Sequence, residues 1–256
     1  MIHLSDFLIK KNVKKKLIVA SGEEESLLFA INQAIEKELV EPLIIGNKTI
    51  INDYINKNEF LNLNNIEIIN EKDPEKICEI AVDIVSSEDN CILMKGLATT
   101  KQIVSSLLRQ KEKLVDADIL SHISIFESPY YHKLFGMSDA AINISPSVKE
   151  KINIIKNAVA FFHKIGCKQP KVAILSAIEK VNEKIASSVD AFQIKKYFEN
   201  NQTHDFLVDG PLALDNAMCQ KSVENKKIIS SVAGDADILI VPEIVSGNIY
   251  INHSIF

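Results

Sequence analysis

The chain has 256 residues, 46% hydrophobic and 25% charged, so it can bury a sizeable core as one large domain or two smaller ones. Its net charge of −5 argues against an obligate nucleic-acid binder, which needs clustered Lys and Arg against phosphates. Cys78, Cys91, Cys167 and Cys219 are scattered without a CxxC pair, the N-terminus lacks the order of a signal peptide, and no apolar run reaches membrane-spanning length. The expectation is a reduced cytoplasmic protein without a disulfide framework, a metal cluster or a membrane contact.

Strand-like and helix-like runs alternate from the start. Lys10, Lys11, Lys14, Lys15 and Lys16 read as a solvated basic stretch ahead of a first strand at 17–20. That strand ends in Ser21-Gly22, not in the three-glycine fingerprint of dinucleotide binders. Glu23, Glu24 and Glu25 suit a helix N-terminus, where exposed N–H groups favour negative charge, and Leu27, Leu28, Ile31 and Ile35 give the helix one apolar face. Residues 43–45, bracketed by Pro42 and Gly46, then 66–69 and 91–94 read as further strands, with a helix opening at Asp73-Pro74. Helices between strands at this spacing imply βαβ units and a mostly parallel sheet.

The strand at 91–94 runs into Lys95-Gly96, with Thr99 or Thr100 capping the next helix. A lysine at a strand end, a glycine permitting close backbone approach and a hydroxyl at a helix start make an anion site; the plainer alternative is a turn with a solvated lysine. Ser121-His122 opens another apolar run at 123–126. His122 reads first as a hydrogen-bonded structural histidine and second as a substrate contact. The pattern breaks over 130–137 and returns as a strand at 140–144. Ser145-Pro146 then reads as an N-cap with proline at the first helical position, and Val148, Ile152, Ile155, Val159 and Phe162 line a helix ending at Gly166. The boundary between two domains is placed here, 1–144 and 145–256.

In the second half, 171–175 reads as a strand and 191–201 as a helix with Phe192 and Phe198 inward. Two short apolar runs, 206–208 and 238–241, lie beside turns rich in Gly, Pro, Asp and Asn, the pattern of buried parallel strands whose ends carry site residues. Between them, 212–221 reads as a helix with Asp215 and Asn216 in its first turn. A carboxylate repels phosphate, so Asp209, Asp215, Asp235 and Asp237 are better cast as a base or orienting groups than as phosphate ligands. Asp235 and Asp237 serve equally as turn caps, and for Asp237 that reading is preferred.

GPLALDNA (210–217) and AGDADILIVPEIVSGN (233–248) resemble signature segments of the phosphate acetyl/butyryltransferases. MKGLATT (94–100), LSH (120–122), the stretch 146–176 and SSVDA (187–191) match in the same order. The resemblance is dense from 94 to 248 and thinner before it. It implies acyl transfer between coenzyme A and inorganic phosphate, on two α/β domains with mostly parallel sheets and an interdomain cleft, as in isocitrate and isopropylmalate dehydrogenases. Coenzyme A is then a substrate, with no tightly bound cofactor and no metal, and the protein is a homodimer or higher homo-oligomer assembled through a second-domain helix. The implied substrate contacts are Lys95, Gly96, Thr99, Ser121, His122, Asp209, Gly210, Asp215 and Asn216. Asp215 is the one catalytic candidate.

Two departures accompany the resemblance. The one arginine is Arg109, whereas family members place arginines, the preferred bidentate phosphate clamps, at positions matching Ser105 and Val115. The chain also stops at Phe256, ahead of the family's Ser-Arg-Ala-Asp-type loop, which implies impaired turnover. A second reading keeps the fold and binding of coenzyme A or acyl phosphate without catalysis. A third, a metal-dependent dehydrogenase-like protein, lacks the arginine-rich hydroxyacid site such enzymes need.

Overall fold

Short apolar runs such as LIVA and LIIG cannot bury both faces alone, and the helices between them supply the cover. The computed structural model describes residues 14–114, 117–201 and 205–254; Lys10, Lys11 and Val115 lie outside them. The chain divides into two compact units between residues 116 and 117.

The first unit contains β1 (Lys15–Ala20), α1 (Glu25–Glu36), β2 (Val40–Gly46), α2 (Lys48–Lys57), a 3-10 turn (Leu61–Leu63), β3 (Glu67–Asn70), α3 (Pro74–Ser87), β4 (Cys91–Lys95), α4 (Thr100–Arg109) and α5 (Lys111–Leu114). Its sheet runs β3-β2-β1-β4, all parallel. Val19 and Ile44 pack on one face with Leu28, Ile31 and Ile51; Ile18 and Ile45 pack on the other with Ile77, Ala81 and Val82. Pro42 lies inside β2, not before it, opposite Leu17. It is tolerated because pairing with β3 begins only at Leu43, so no ladder bond on that side is lost. Of the three glutamates, Glu25 is in the first turn of α1, and Glu24 at the N-cap makes no side-chain cap bond. Glu23 instead accepts the backbone N–H of Asn47 at the start of α2.

The second unit contains β5 (Ser124–Phe126), β6 (Phe135–Ser138), α6 (Val148–Lys164), β7 (Lys171–Leu175), α7 (Ala186–Asn200), β8 (Leu207–Leu212), α8 (Leu214–Met218), α9 (Gln220–Lys226), β9 (Ile238–Ile240) and α10 (Ile244–Ser254). Its sheet runs β5-β6-β9-β7-β8, parallel except for the β5–β6 pair. Ile154, Ile155, Phe162, Ile194 and Phe198 cover one face, and Ala217, Val223, Val232 and Tyr131 cover the other. Each fully buried aliphatic side chain contributes about 1.5–3 kcal/mol.

Several expectations are corrected here. The boundary expected at 144/145 gives way to a division at 116/117, because β6 pairs in parallel with β9 and belongs to the second sheet. Residues 140–144 form no strand: the Asp139 carboxylate takes the N–H groups of Ala141, Ile142 and Asn143, which a ladder would need. The strand is Phe135–Ser138, inside the stretch read as a break. The α6 cap is Ser147, not Ser145, in a reciprocal capping box with Glu150. Helix α7 starts five residues before the expected 191, at Ala186, and Phe192 is 42% exposed rather than inward. The helix expected over 212–221 is two short ones, broken at Cys219, whose backbone is extended.

Candidate functional site

In the first unit the candidate site is the turn from β4 to α4. Gly96 donates its N–H to the Ala20 carbonyl at 2.8 Å and Leu97 donates to that of Ser21 at 2.9 Å, so the β4 turn is laced onto the end of β1. Only glycine fits, since a Cβ on Gly96 would overlap the Ser21 carbonyl. Thr99 caps α4: its hydroxyl accepts the Gln102 N–H, while the Gln102 side chain accepts from the Thr99 N–H. Lys95 Nζ folds over the turn and donates to the carbonyls of Gly96 at 3.1 Å and Ala98 at 2.9 Å. The expected solvated or phosphate-facing lysine is therefore tied to backbone oxygens, and it adds fixed positive charge beside a helix N-terminus. The Thr100 and Lys101 N–H groups in the first turn of α4 have no partner among the described residues. Beside them lies a hollow of about 310 Å³ that Thr99, Lys101, Ser105 and Arg109 help to line. Arg109 pairs with Glu79.

In the second unit, His122 is fixed by its backbone: its N–H donates to Asp139 at 3.2 Å and its carbonyl accepts from the Ser138 hydroxyl at 2.7 Å. Its Nδ1 is buried without a partner, and Nε2 is 3.5 Å from the Ser124 hydroxyl. Asn157 on α6 holds the same segment, donating to the Ile119 carbonyl and the Ser121 hydroxyl. Ser121 and His122 are thus brought together with Asp139 on a rigid seat. Asp139 is a buried carboxylate that also accepts the Asn143 side chain at 2.6 Å.

Asn216, fully buried in α8, donates its side-chain amide to Glu179, while its Oδ1 has no partner. Lys226 lies 2.6 Å from Glu179 and 3.4 Å from Asp215, joining the two carboxylates. The Lys226 hydrogen bond, against a smaller opposing effect of burial, draws the Glu179 carboxyl below its usual range. Nearby in sequence, the Ser176 hydroxyl after β7 meets the Ser187 hydroxyl in the first turn of α7 at 2.9 Å. The N-cap of α7, Ile185, supplies no side-chain cap.

Asp209 and Gly210 are not turn residues. Asp209 pairs with Ala173 in the middle of β8, its carboxylate taking Lys195 Nζ at 2.7 Å and the Gly210 N–H at 2.8 Å. Asp235 and Asp237 mark the opposite, N-terminal end of the β-strands. Lys171 and Lys133 reach Asp235 at 2.6 and 2.9 Å, His132 at 2.7 Å, and Lys133 also reaches Asp237 at 2.7 Å. Burial pushes the Asp235 carboxyl up, and these donors outweigh it and hold the group well below the usual carboxylate range. Both aspartates staple the strand starts together.

Sequence reasoning missed Ser176, Ser187, Glu179 and Asp139. A serine directly after an apolar strand and another opening the next helix were the available signal for the first two. Nothing local marks the others, because their partners are distant in the chain.

The family model described as phosphate acetyl/butaryl transferase matches residues 7–90 and 75–253. A probable phosphate butyryltransferase of Bacillus subtilis (strain 168) is 36% identical over 248 residues, covering 96% of this chain and 82% of that protein. The phosphate butyryltransferase of Clostridium beijerinckii is 36% identical over 241 residues, covering 94% of this chain and 80% of the other. The crystal structure of a branched-chain phosphotransacylase from Enterococcus faecalis V583 superposes with a TM-score of 0.81 at 30% identity, over 94% of this chain and 84% of that one. The chain belongs to the phosphate acetyl/butyryltransferase family.

Proposed function

We propose that this chain catalyses reversible acyl transfer between coenzyme A and inorganic phosphate. In the phosphate-consuming direction, a phosphate oxygen attacks the thioester carbonyl, the carbon–sulfur bond breaks, and coenzyme A leaves as a thiolate that takes up a proton. The observation that carries the reading is the β4–α4 turn. Its laced backbone leaves the Thr100 and Lys101 N–H groups without partners at a helix start, with Lys95 fixed beside them. Such preorganised donors hold a phosphate and stabilise charge as it develops. Gly96 permits the turn and Thr99 sets the helix start, so both act by positioning.

In the second unit, Ser121 and His122, seated on Asp139, serve as hydrogen-bonding contacts for the acyl or thiol end of the substrates. Asp215, half-exposed beside Lys226, is the candidate acid–base group, and Asn216 holds Glu179 in place. Asp209 and Gly210 line one hollow with Glu179 and Lys226, the partners of Asn216 and Asp215. Coenzyme A enters as a substrate, no tightly bound cofactor is required, and the protein works in the cytoplasm as a homo-oligomer joined through a helix of the second unit. Among the described residues no helix is long and apolar enough to cross a membrane.

Thioester absorbance, followed with acetyl or butyryl phosphate and coenzyme A, tests the reading. Formation of acyl-CoA in proportion to added protein is expected, with a raised KM for acyl phosphate in Lys95→Gln. No thioester above the uncatalysed rate, even with thermal stabilisation by coenzyme A, would leave a binder and overturn the proposal.

A further inference from the structure

The first-unit sheet ends at β4, which among the described residues pairs with β1 alone. Gly96 donates its N–H to the Ala20 carbonyl, and the Asn90 carbonyl accepts from Lys16, so the even-numbered residues of this strand turn their backbone groups toward β1. In a parallel ladder each residue presents its N–H and its C=O to the same side. Cys91, Leu93 and Lys95 therefore turn theirs outward, along the free edge. None of these three N–H groups has a partner among the described residues.

Sheet edges ordinarily carry a device against pairing, such as a proline, a bulge, an inward charge or a covering segment. The run CILMK has no proline, and its register against β1 is unbroken by a bulge. Its one charge, Lys95, is drawn back over the turn onto the Gly96 and Ala98 carbonyls. Both faces of the strand are apolar and open. Ile92 is 41% exposed, whereas Leu17 beside it in β1 is 7% exposed, and Leu93 on the opposite face is only partly buried against the α3–α4 side.

We propose that this edge pairs with the same edge of a second copy, antiparallel about a twofold axis at Leu93. In that register Leu93 lies opposite Leu93 of the copy, Cys91 opposite Lys95, and Ile92 opposite Met94. Every outward N–H then meets a carbonyl of the copy, in the hydrogen-bonded positions of an antiparallel ladder. Cross-strand contacts are apolar on both faces, and no like charges are opposed. Shifting the register by one residue sets outward groups against groups already bonded to β1. A shift of two carries Cys91 or Lys95 beyond the end of the opposing strand. The contact is isologous and closed, joining two four-stranded sheets into a continuous one. It lies in the first unit, apart from the assembly through the second, and holds whether or not the chain transfers acyl groups.

Light scattering behind gel filtration tests it on the intact chain. Leu93→Lys sets two ammonium groups face to face across the axis, and Leu93→Glu sets two carboxylates. Each should halve the mass of the assembly that the unaltered chain forms. Mixed in equal amounts they should restore it, because lysine then faces glutamate, whereas damage to the fold of one variant is not repaired by adding the other. Leu93→Cys gives a second reading without a change of charge. Residues directly opposite in a hydrogen-bonded antiparallel pair have Cα atoms about 5.5 Å apart, within disulfide reach. Mild oxidation should therefore link that variant into a covalent dimer well ahead of the unaltered chain, whose Cys91 faces Lys95 instead. An unchanged mass in both charge variants would overturn the assignment and leave the edge to a strand of another protein. No recovery on mixing, or no disulfide beyond that of the unaltered chain, would overturn it as well.

Discussion

Leu97 donates its backbone N–H to the Ser21 carbonyl oxygen at 2.9 Å, and that bond fixes where the α4 N-terminus begins. It requires the chain to pass Gly96 without a side chain, because a Cβ there would occupy the position of the same carbonyl. Gly96→Ala should therefore cost about 1–3 kcal/mol in urea unfolding followed by circular dichroism, as overpacking does. It should also raise the KM for phosphate more than that for coenzyme A.

Asn216 is buried, with its amide donated to Glu179. Asn216→Ala strands that carboxylate's partner position and opens a small void, and should cost about 1–3 kcal/mol. Asn216→Asp sets two carboxylates against each other and should be worse near neutral pH. Its deficit should shrink as the pH falls through the carboxylate range, which urea midpoints at several pH values would show.

Lys151 on α6, with a side chain only 6% exposed, meets Asp190 of α7 at 2.7 Å. Removing one partner leaves an uncompensated charge, so Lys151→Ala should cost about 2–4 kcal/mol, whereas Lys151→Met combined with Asp190→Asn should cost much less. A double-mutant cycle in urea reads the coupling.

Asp235 gathers Lys171, Lys133 and His132, which keep its folded-state acidity below the usual range despite burial. A depressed carboxylate contributes stability above its unfolded pKa and loses that contribution as the pH falls toward the folded one. The native chain should therefore weaken as the pH drops below about 5, and Asp235→Asn should be less stable at neutral pH with a flatter acid limb. Urea midpoints from pH 7 downward check the sign.

Much of the fold was legible because local and global signals agree in it. Buried parallel strands such as LIVA and KVAIL have few alternatives, and Asp73-Pro74 signals a helix start with a side-chain acceptor and a pre-set φ. Reading failed where a distant partner decides. Asp139 consumes the N–H groups that would have made 140–144 a strand, and the parallel pairing of Phe135–Ser138 with β9 spans a hundred residues of chain. The site was legible in the same uneven way. Lys95, Gly96 and Thr99 share one turn that sequence can show. Asp209 looked like a turn residue because Gly and Pro follow it, although the backbone there continues as an edge strand.

The central claim is that this chain passes an acyl group to phosphate itself. Initial rates of thiol release from butyryl-CoA, measured against phosphate concentration, test it most directly. The account predicts a rate that rises from near zero and saturates with phosphate, with butyryl phosphate accumulating in step with free thiol. Thiol release that ignores phosphate, or none at all, would contradict it.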